Sequence, residues 1–214
     1  MYFFIMHLAF AASAGTVSGH GHGGDIPAGA PLKKSGTFRS DAVMAGTGVV
    51  ASGNAVTVTL KGLQHDWSGD LIATLSYVDA QGNTVVSVNL FYRIGQTANR
   101  PAGAWAGFGI PGAIGDNYHF NSAYGGNIWS EAQTAGYADV IPGQQAGTAN
   151  GGRYFTTDAN GVPNNLSSAF SGLNIGGGTW RLTITDVSDH AAEGGTVPNI
   201  GSLVSWEIRI ETAN

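Results

Sequence analysis

The sequence predicts an all-β protein: a sheet-on-sheet β-sandwich whose strands are joined by long Gly-rich loops. Three observations predict it. Several segments alternate apolar and polar residues with a period of two, which sets one face of a strand in a core and the other in water. Glycine supplies 34 of 214 residues, enough to punctuate many turns. No segment shows a 3.6-residue period, and three lysines with four glutamates cannot build helical heptads. Collagen is excluded, since the glycines have no three-residue period and there are only seven prolines. With 43% hydrophobic and 10% aromatic residues, the chain can fill a core.

The elements follow in order. Residues 1–14 (MYFFIMHLAFAASA) are expected to be a signal peptide, with an apolar run from Tyr2 to Ala12 and a small-x-small site at Ala12-Ser13-Ala14. The run is shorter than the roughly 20 residues of a membrane span, and its n-region lacks Lys and Arg. A buried N-terminal strand or helix is the alternative. Residues 15–39 are expected to be a flexible Gly/His/Pro-rich arm, too poor in apolar surface to fold alone. The sandwich is expected over 40–214. Asn54–Lys61 sets Val56, Val58 and Leu60 on one face. Asp70–Val78 sets Leu71, Ala73, Leu75 and Tyr77 inward, and with Thr84–Ile94 it reads as a hairpin turning at Gly82. Residues 95–152 fit short strands between long loops. Thr179–Val187 sets Trp180, Leu182 and Ile184 on one face, and Leu203–Glu211 sets Val204, Trp206, Ile208 and Ile210 inward.

Charge narrows the function. Charged residues are 11% of the chain against about 25% in average proteins. The formal charge is −5, and nine scattered basic residues form no stripe for phosphates, so nucleic acid is not an expected partner. Cysteine is absent, which excludes disulfides, thiolate metal sites and a cysteine nucleophile. The low-charge composition and the apolar N-terminus together suggest a secreted protein, extracellular or at the cell surface.

An ordered series of motifs then appears in the second half. Leu166-Ser167-Ser168-Ala169-Phe170-Ser171-Gly172 precedes Gly178-Thr179-Trp180-Arg181-Leu182-Thr183-Ile184-Thr185-Asp186, and Gly201-Ser202-Leu203-Val204-Ser205-Trp206-Glu207-Ile208-Arg209-Ile210 follows. Earlier, Gln64-His65-Asp66-Trp67-Ser68-Gly69-Asp70-Leu71 and Gly115-Asp116-Asn117-Tyr118-His119-Phe120-Asn121 stand in matching positions. The series resembles the P domain (P/Homo B domain) of subtilisin-like proprotein convertases, over roughly residues 40–212. The resemblance implies a jelly-roll-like antiparallel β-sandwich of about eight strands that is itself non-catalytic and supports the folding of a protease domain. No G-x-S-x-G elbow is present.

Several residues invite chemistry. Asp66, Asp70, Asp116, Asp186, Asp189 and Glu193 lie in or beside Gly/Asn-rich loops, and hard oxygen ligands suit Ca²⁺. Turn-capping by the same carboxylates is the plainer reading. His20-Gly21-His22 is a weak metal-binding pair on a tether, and His65 is expected to be a structural loop residue. Gly107–Gly112 and Gly19–Gly24 match G-x-G-x-x-G without a strand-to-helix setting. Asn165-Leu166-Ser167 is a glycosylation sequon. Trp67, Trp105, Tyr124, Trp129, Tyr137 and Tyr154 are loop aromatics that could stack on carbohydrate. An assembly role is also open: a filament or surface-layer subunit adding its N-terminal arm, or the strand-like Val49-Val50-Ala51, to a neighbour's sheet.

Overall fold

The computed structural model describes residues 15–29, 35–99, 103–109, 116–135, 139–144, 151–187 and 201–213. Their strands are β1 (Thr16–Ile26), β2 (Gly36–Ala42), β3 (Val56–Lys61), β4 (Leu71–Asp79), β5 (Thr84–Tyr92), β6 (Gly107–Phe108), β7 (Asn117–Phe120), β8 (Val140–Ile141), β9 (Arg153–Tyr154), β10 (Gly178–Asp186) and β11 (Gly201–Glu211). One sheet runs β1-β11-β3-β7-β9, the other β2-β10-β4-β5, and β6-β8 form a small separate pair. The four-stranded sheet is antiparallel throughout. In the five-stranded sheet only β7 and β9 run parallel, as do β6 and β8. The all-β sandwich expectation is met.

The core lies between the two large sheets. Val56, Val58 and Leu60 from β3 meet Leu71, Ala73, Leu75 and Tyr77 from β4, all buried as their alternation requires. Trp180 and Trp206 are fully buried. Trp180 packs against Tyr77 (5.1 Å between centroids) and Phe170 (5.0 Å), and Phe91 stacks beside Phe108 (5.2 Å) and Phe120 (5.7 Å). Each large ring removes on the order of 150–250 Å² from water.

Three expectations are corrected. Residues 15–39 are not a free arm: Thr16–Ile26 pairs antiparallel with β11 over its whole length, and Gly36–Ala42 pairs with β10. The segment cannot fold alone, but it needs no core of its own when β11 supplies the hydrogen bonds. Its glycines fit it for that place. A Cβ at Gly21 would lie 1.8 Å from Trp206 Nε1, and one at Gly19 would lie 2.4 Å from Met44 Sδ. Only a strand without side chains on that face can lie over the indole. Second, Val204 is 68% exposed and Leu203 is buried instead. β3 ends at Lys61, and beyond Ser205 the last strand bridges the following loop through Gln64 and Ser202. Third, two short helices occur, α1 (Ile128–Thr134) and α2 (Leu166–Phe170). Asn127 and Asn165 cap them by accepting backbone N–H bonds, and one or two turns are too short to show a period.

Val49 and Val50 make single bridges, to Asn174 and Thr212, rather than a strand. Residues 1–14, with the signal-peptide expectation, lie outside the described residues. Among the described residues no helix is long and apolar enough to cross a membrane.

Candidate functional site

The loop between β3 and β4 carries three buried polar residues, His65, Ser68 and Asp70. Gly62 takes φ +64° and turns the chain out of β3. Gln64 then exchanges backbone bonds with Ser202 (2.8 and 2.9 Å), and His65 does so with Phe108 (3.0 and 2.7 Å). Ser68 N–H donates to Ala106 O (2.8 Å) and Gly69 N–H to Ala104 O (3.1 Å). The loop is therefore stitched on one side to β11 and on the other to residues 104–108.

His65 stands at the centre. Its Nε2 lies 3.3 Å from Asp186 Oδ2, and neither side chain is more than 1% exposed. The Trp67 N–H donates to His65 Nδ1 at 3.1 Å. Nδ1 also lies 3.0 Å from the Trp67 carbonyl, and the Asp186 carboxylate, an acceptor, takes the Nε2–H. Gly201 makes room for the ring, since a Cβ there would meet His65 Cδ2 at 2.5 Å. Asp70 is buried on the same loop, Leu71 is in register with Asp186, and the Val187 N–H donates to Asp70 O (2.9 Å). Ser68 is fully buried, with no hydrogen-bond partner for its hydroxyl among the described residues.

Chemically this is a joint between elements. Nε2 ties the loop to β10 through Asp186, Nδ1 closes the loop on Trp67, and the backbone of Gln64 holds it to β11. His65 is thus placed as the structural loop residue that the sequence suggests.

The calcium set is divided. Asp70 and Asp186 come to one end of the sandwich, while Asp66 is exposed on the loop just before Asp70. Asp116 is buried at the start of β7, beneath Gly143, where a Cβ would lie 2.2 Å from its own. Asp189 and Glu193 lie outside the described residues. Among the described residues no three His, Asp or Glu side chains gather as metal ligands. Asp66, Asp70, Asp116 and Asp186 therefore do not form one calcium centre by themselves. His20 and His22 lie on β1, not on a tether: His20 Nδ1 is 4.0 Å from Glu207, and His22 Nδ1 is 3.2 Å from the Ser40 hydroxyl. That hydroxyl also accepts the Trp206 indole N–H at 2.9 Å.

The outer face of the five-stranded sheet is polar in register. His20, Glu207, Thr59, His119 and Arg153 form one row across all five strands. Lys61 donates to Glu207 at 2.7 Å and holds its carboxyl below the usual range. Burial pushes the His119 imidazole down, only partly offset by its bond to Gln144. On the other sheet Arg181 grips Asp41 with two bonds (2.7 and 2.8 Å), which lowers the Asp41 carboxyl. Burial pushes the Tyr118 and Tyr154 hydroxyls up. They donate to Ile141 O and Pro142 O.

The loop aromatics do not form a flat platform. Trp129 and Tyr154 are buried. Trp105 is 46% exposed but meets Trp67 edge-on, at 72° between planes. Tyr137 lies outside the described residues. The Asn165 side chain accepts the Ser168 N–H as a helix cap, and Ser167 of the sequon is fully buried, accepting the Val56 N–H. Sequence reasoning does not reach Ser40, which carries no motif; its one signal is an inward place in the alternation of β2.

No protein-family model matches the chain, and no curated protein does. Among solved structures it is similar to the serine protease of Aeromonas sobria, at 15% identity and TM-score 0.38, over 97% of this chain and 28% of that one. It is also similar to a structure of that protease in complex with the chaperone ORF2, at 16% identity and TM-score 0.36, over 92% of this chain and 27% of that one. The chain thus spans little more than a quarter of the length of the solved chains it matches.

Proposed function

We propose that the chain is a secreted, non-catalytic β-sandwich module that works by binding and supporting a protein partner, as the P-domain resemblance implies. The observation that carries this reading is the His65–Asp186 joint. His65 and Asp186, the acid–base pair of the motif region, are buried and spent on holding loop to sheet. The test is a peptidase and esterase assay on the pure chain, paired with co-expression beside a subtilisin-like protease domain. The reading expects no turnover and an increased yield of folded protease. Turnover that disappears in His65→Ala would overturn it.

Calcium is part of the proposal and rests on the loop carboxylates. Since the four described ones do not converge, Asp189 or Glu193 would have to complete a site. Added Ca²⁺ is expected to raise the melting temperature and EGTA to reverse the gain; an unchanged curve removes calcium from the reading.

A second reading, self-association into a filament, is favoured by one observation. Among the described residues β1 is an edge strand of the five-stranded sheet, paired on one side only. Its other edge is a template for strand addition. Light scattering at increasing concentration tests this: growth in mass supports it, and a constant monomer mass rejects it.

A further inference from the structure

We propose that an open cavity on the outer face of the five-stranded sheet binds an acidic saccharide, with a uronic-acid carboxylate on Arg209 and sugar hydroxyls on Glu211 and Asn54. The cavity has a volume of about 300 Å³, at the lower end of small-molecule sites. Its polar lining comes from Asn54, Thr57, Asn121, Tyr124, Arg209 and Glu211.

The floor is built in advance. Asn121 is only 6% exposed. Its amide donates to Asn54 O (3.0 Å), Val56 O (3.0 Å) and Thr57 Oγ1 (2.8 Å), and its carbonyl accepts the Ala123 N–H (2.8 Å). These bonds tie the end of β7 to β3 and position Tyr124 as one wall. The small side chains of Ala55 and Ala123 leave the space open.

The walls carry unspent charge. Two other sheet cations are used: Lys61 on Glu207 and Arg181 on Asp41. Arg209 and Glu211, next along the same outward face of β11, have no side-chain partner among the described residues, including each other. Arg153 adds a second guanidinium beside the site, 5.7 Å from the centre of the Tyr124 ring. A guanidinium left free in a cavity suits a carboxylate, with which it forms paired N–H···O bonds. A free carboxylate and an amide carbonyl require donors, which sugar hydroxyls supply. Glu211 would repel a densely anionic ligand such as an acidic peptide. The Tyr124 ring offers an apolar face for the C–H side of a pyranose.

This inference rests on the reading of the chain as a binding module, at a site separate from the His65 joint. It can fail while partner support stands. Isothermal titration of the full chain with trigalacturonic acid and with neutral galactotriose tests it. Saturable binding of the acidic sugar and weaker binding of the neutral one are expected. Arg209→Gln is expected to weaken acidic-sugar binding by about tenfold or more, from the loss of a charged hydrogen bond. Glu211→Gln tests the hydroxyl contacts and should weaken binding of both sugars. Arg209 and Glu211 are exposed, so both variants should keep the parent melting temperature. No saturation with trigalacturonic acid, equal binding of the neutral sugar, or unchanged binding by Arg209→Gln would each overturn the proposal.

Discussion

At the scale of single residues, the His65–Asp186 pair is where sequence motif and physical cause meet. Asp186→Ala would leave a buried Nε2–H without an acceptor, at a cost of roughly 1–3 kcal/mol. Urea denaturation is expected to show that loss with an unchanged slope, while Asp186→Asn, which keeps an acceptor oxygen, should recover part of it. His119 sets a pH dependence. Its folded value lies below the ordinary 6.5 because burial disfavours the imidazolium. The unfolded chain therefore binds the proton more readily. Its contribution is complete above about pH 6.5 and is lost as pH falls through the folded value. Glu207 and Asp41 act lower. Their folded values lie below 4.5 and 3.8, held there chiefly by Lys61 and Arg181, so their contribution is lost on further acidification. Urea midpoints measured between pH 8 and pH 3 should fall in that order, and His119→Gln should remove the upper step. The motif residues were legible because Gly-Asp, Gly-Thr-Trp and Ser-Trp carry their geometry locally. That Asp186 would meet His65, 121 residues away in sequence, was not.

At the scale of elements, strands with a buried face could be read directly. β3, β4, β5 and β10 lie within a few residues of their sequence expectation, because alternation reports a half-buried ribbon. β1 could not be read this way. Its central inward residues, Gly19 and Gly21, carry no hydrophobic signal, and the need for them comes from Met44 and from Trp206 on another strand. Gly21→Ala is expected to push β1 off the indole, with overpacking costs of about 1–3 kcal/mol. Hydrogen exchange is the direct readout: amides of Thr16–Ile26 should lose protection while those of β4 and β10 keep theirs. Equal protection in parent and variant would show that β1 tolerates the methyl group. The short helices escaped notice for another reason: α1 and α2 are set by Asn caps and by packing of Trp129 and Phe170, not by an amphipathic run.

At the scale of the whole molecule, the first described strand pairs with the last, and every large-sheet pair except β4–β5 joins segments distant in sequence. Such a topology must close long loops before it gains contacts. Refolding followed by tryptophan fluorescence is expected on the order of milliseconds to seconds, with Trp180 and Trp206 reporting core closure. Deletion through Ile26 should abolish the cooperative transition, since it bares β11 and Trp206 together.

Composition and alternation settled the class of this protein, its turn-rich β character and most of its inward faces, because each depends on neighbours a few residues apart. The glycines of residues 19–24 show the limit. By composition they suit a loose arm as well as a strand, and only the neighbours brought over them by the pairing of β1 with β11, Met44 at Gly19, the Trp206 indole at Gly21 and the Leu203 carbonyl at Gly23, decide between the two. The same holds for the cavity at Arg209. Sequence marks an outward arginine, and only the approach of β3, β11 and the Tyr124 loop sets it in a cavity beside Glu211, without a side-chain partner among the described residues. Pairings between distant segments are decided by the packing of the whole sandwich, which no local pattern encodes.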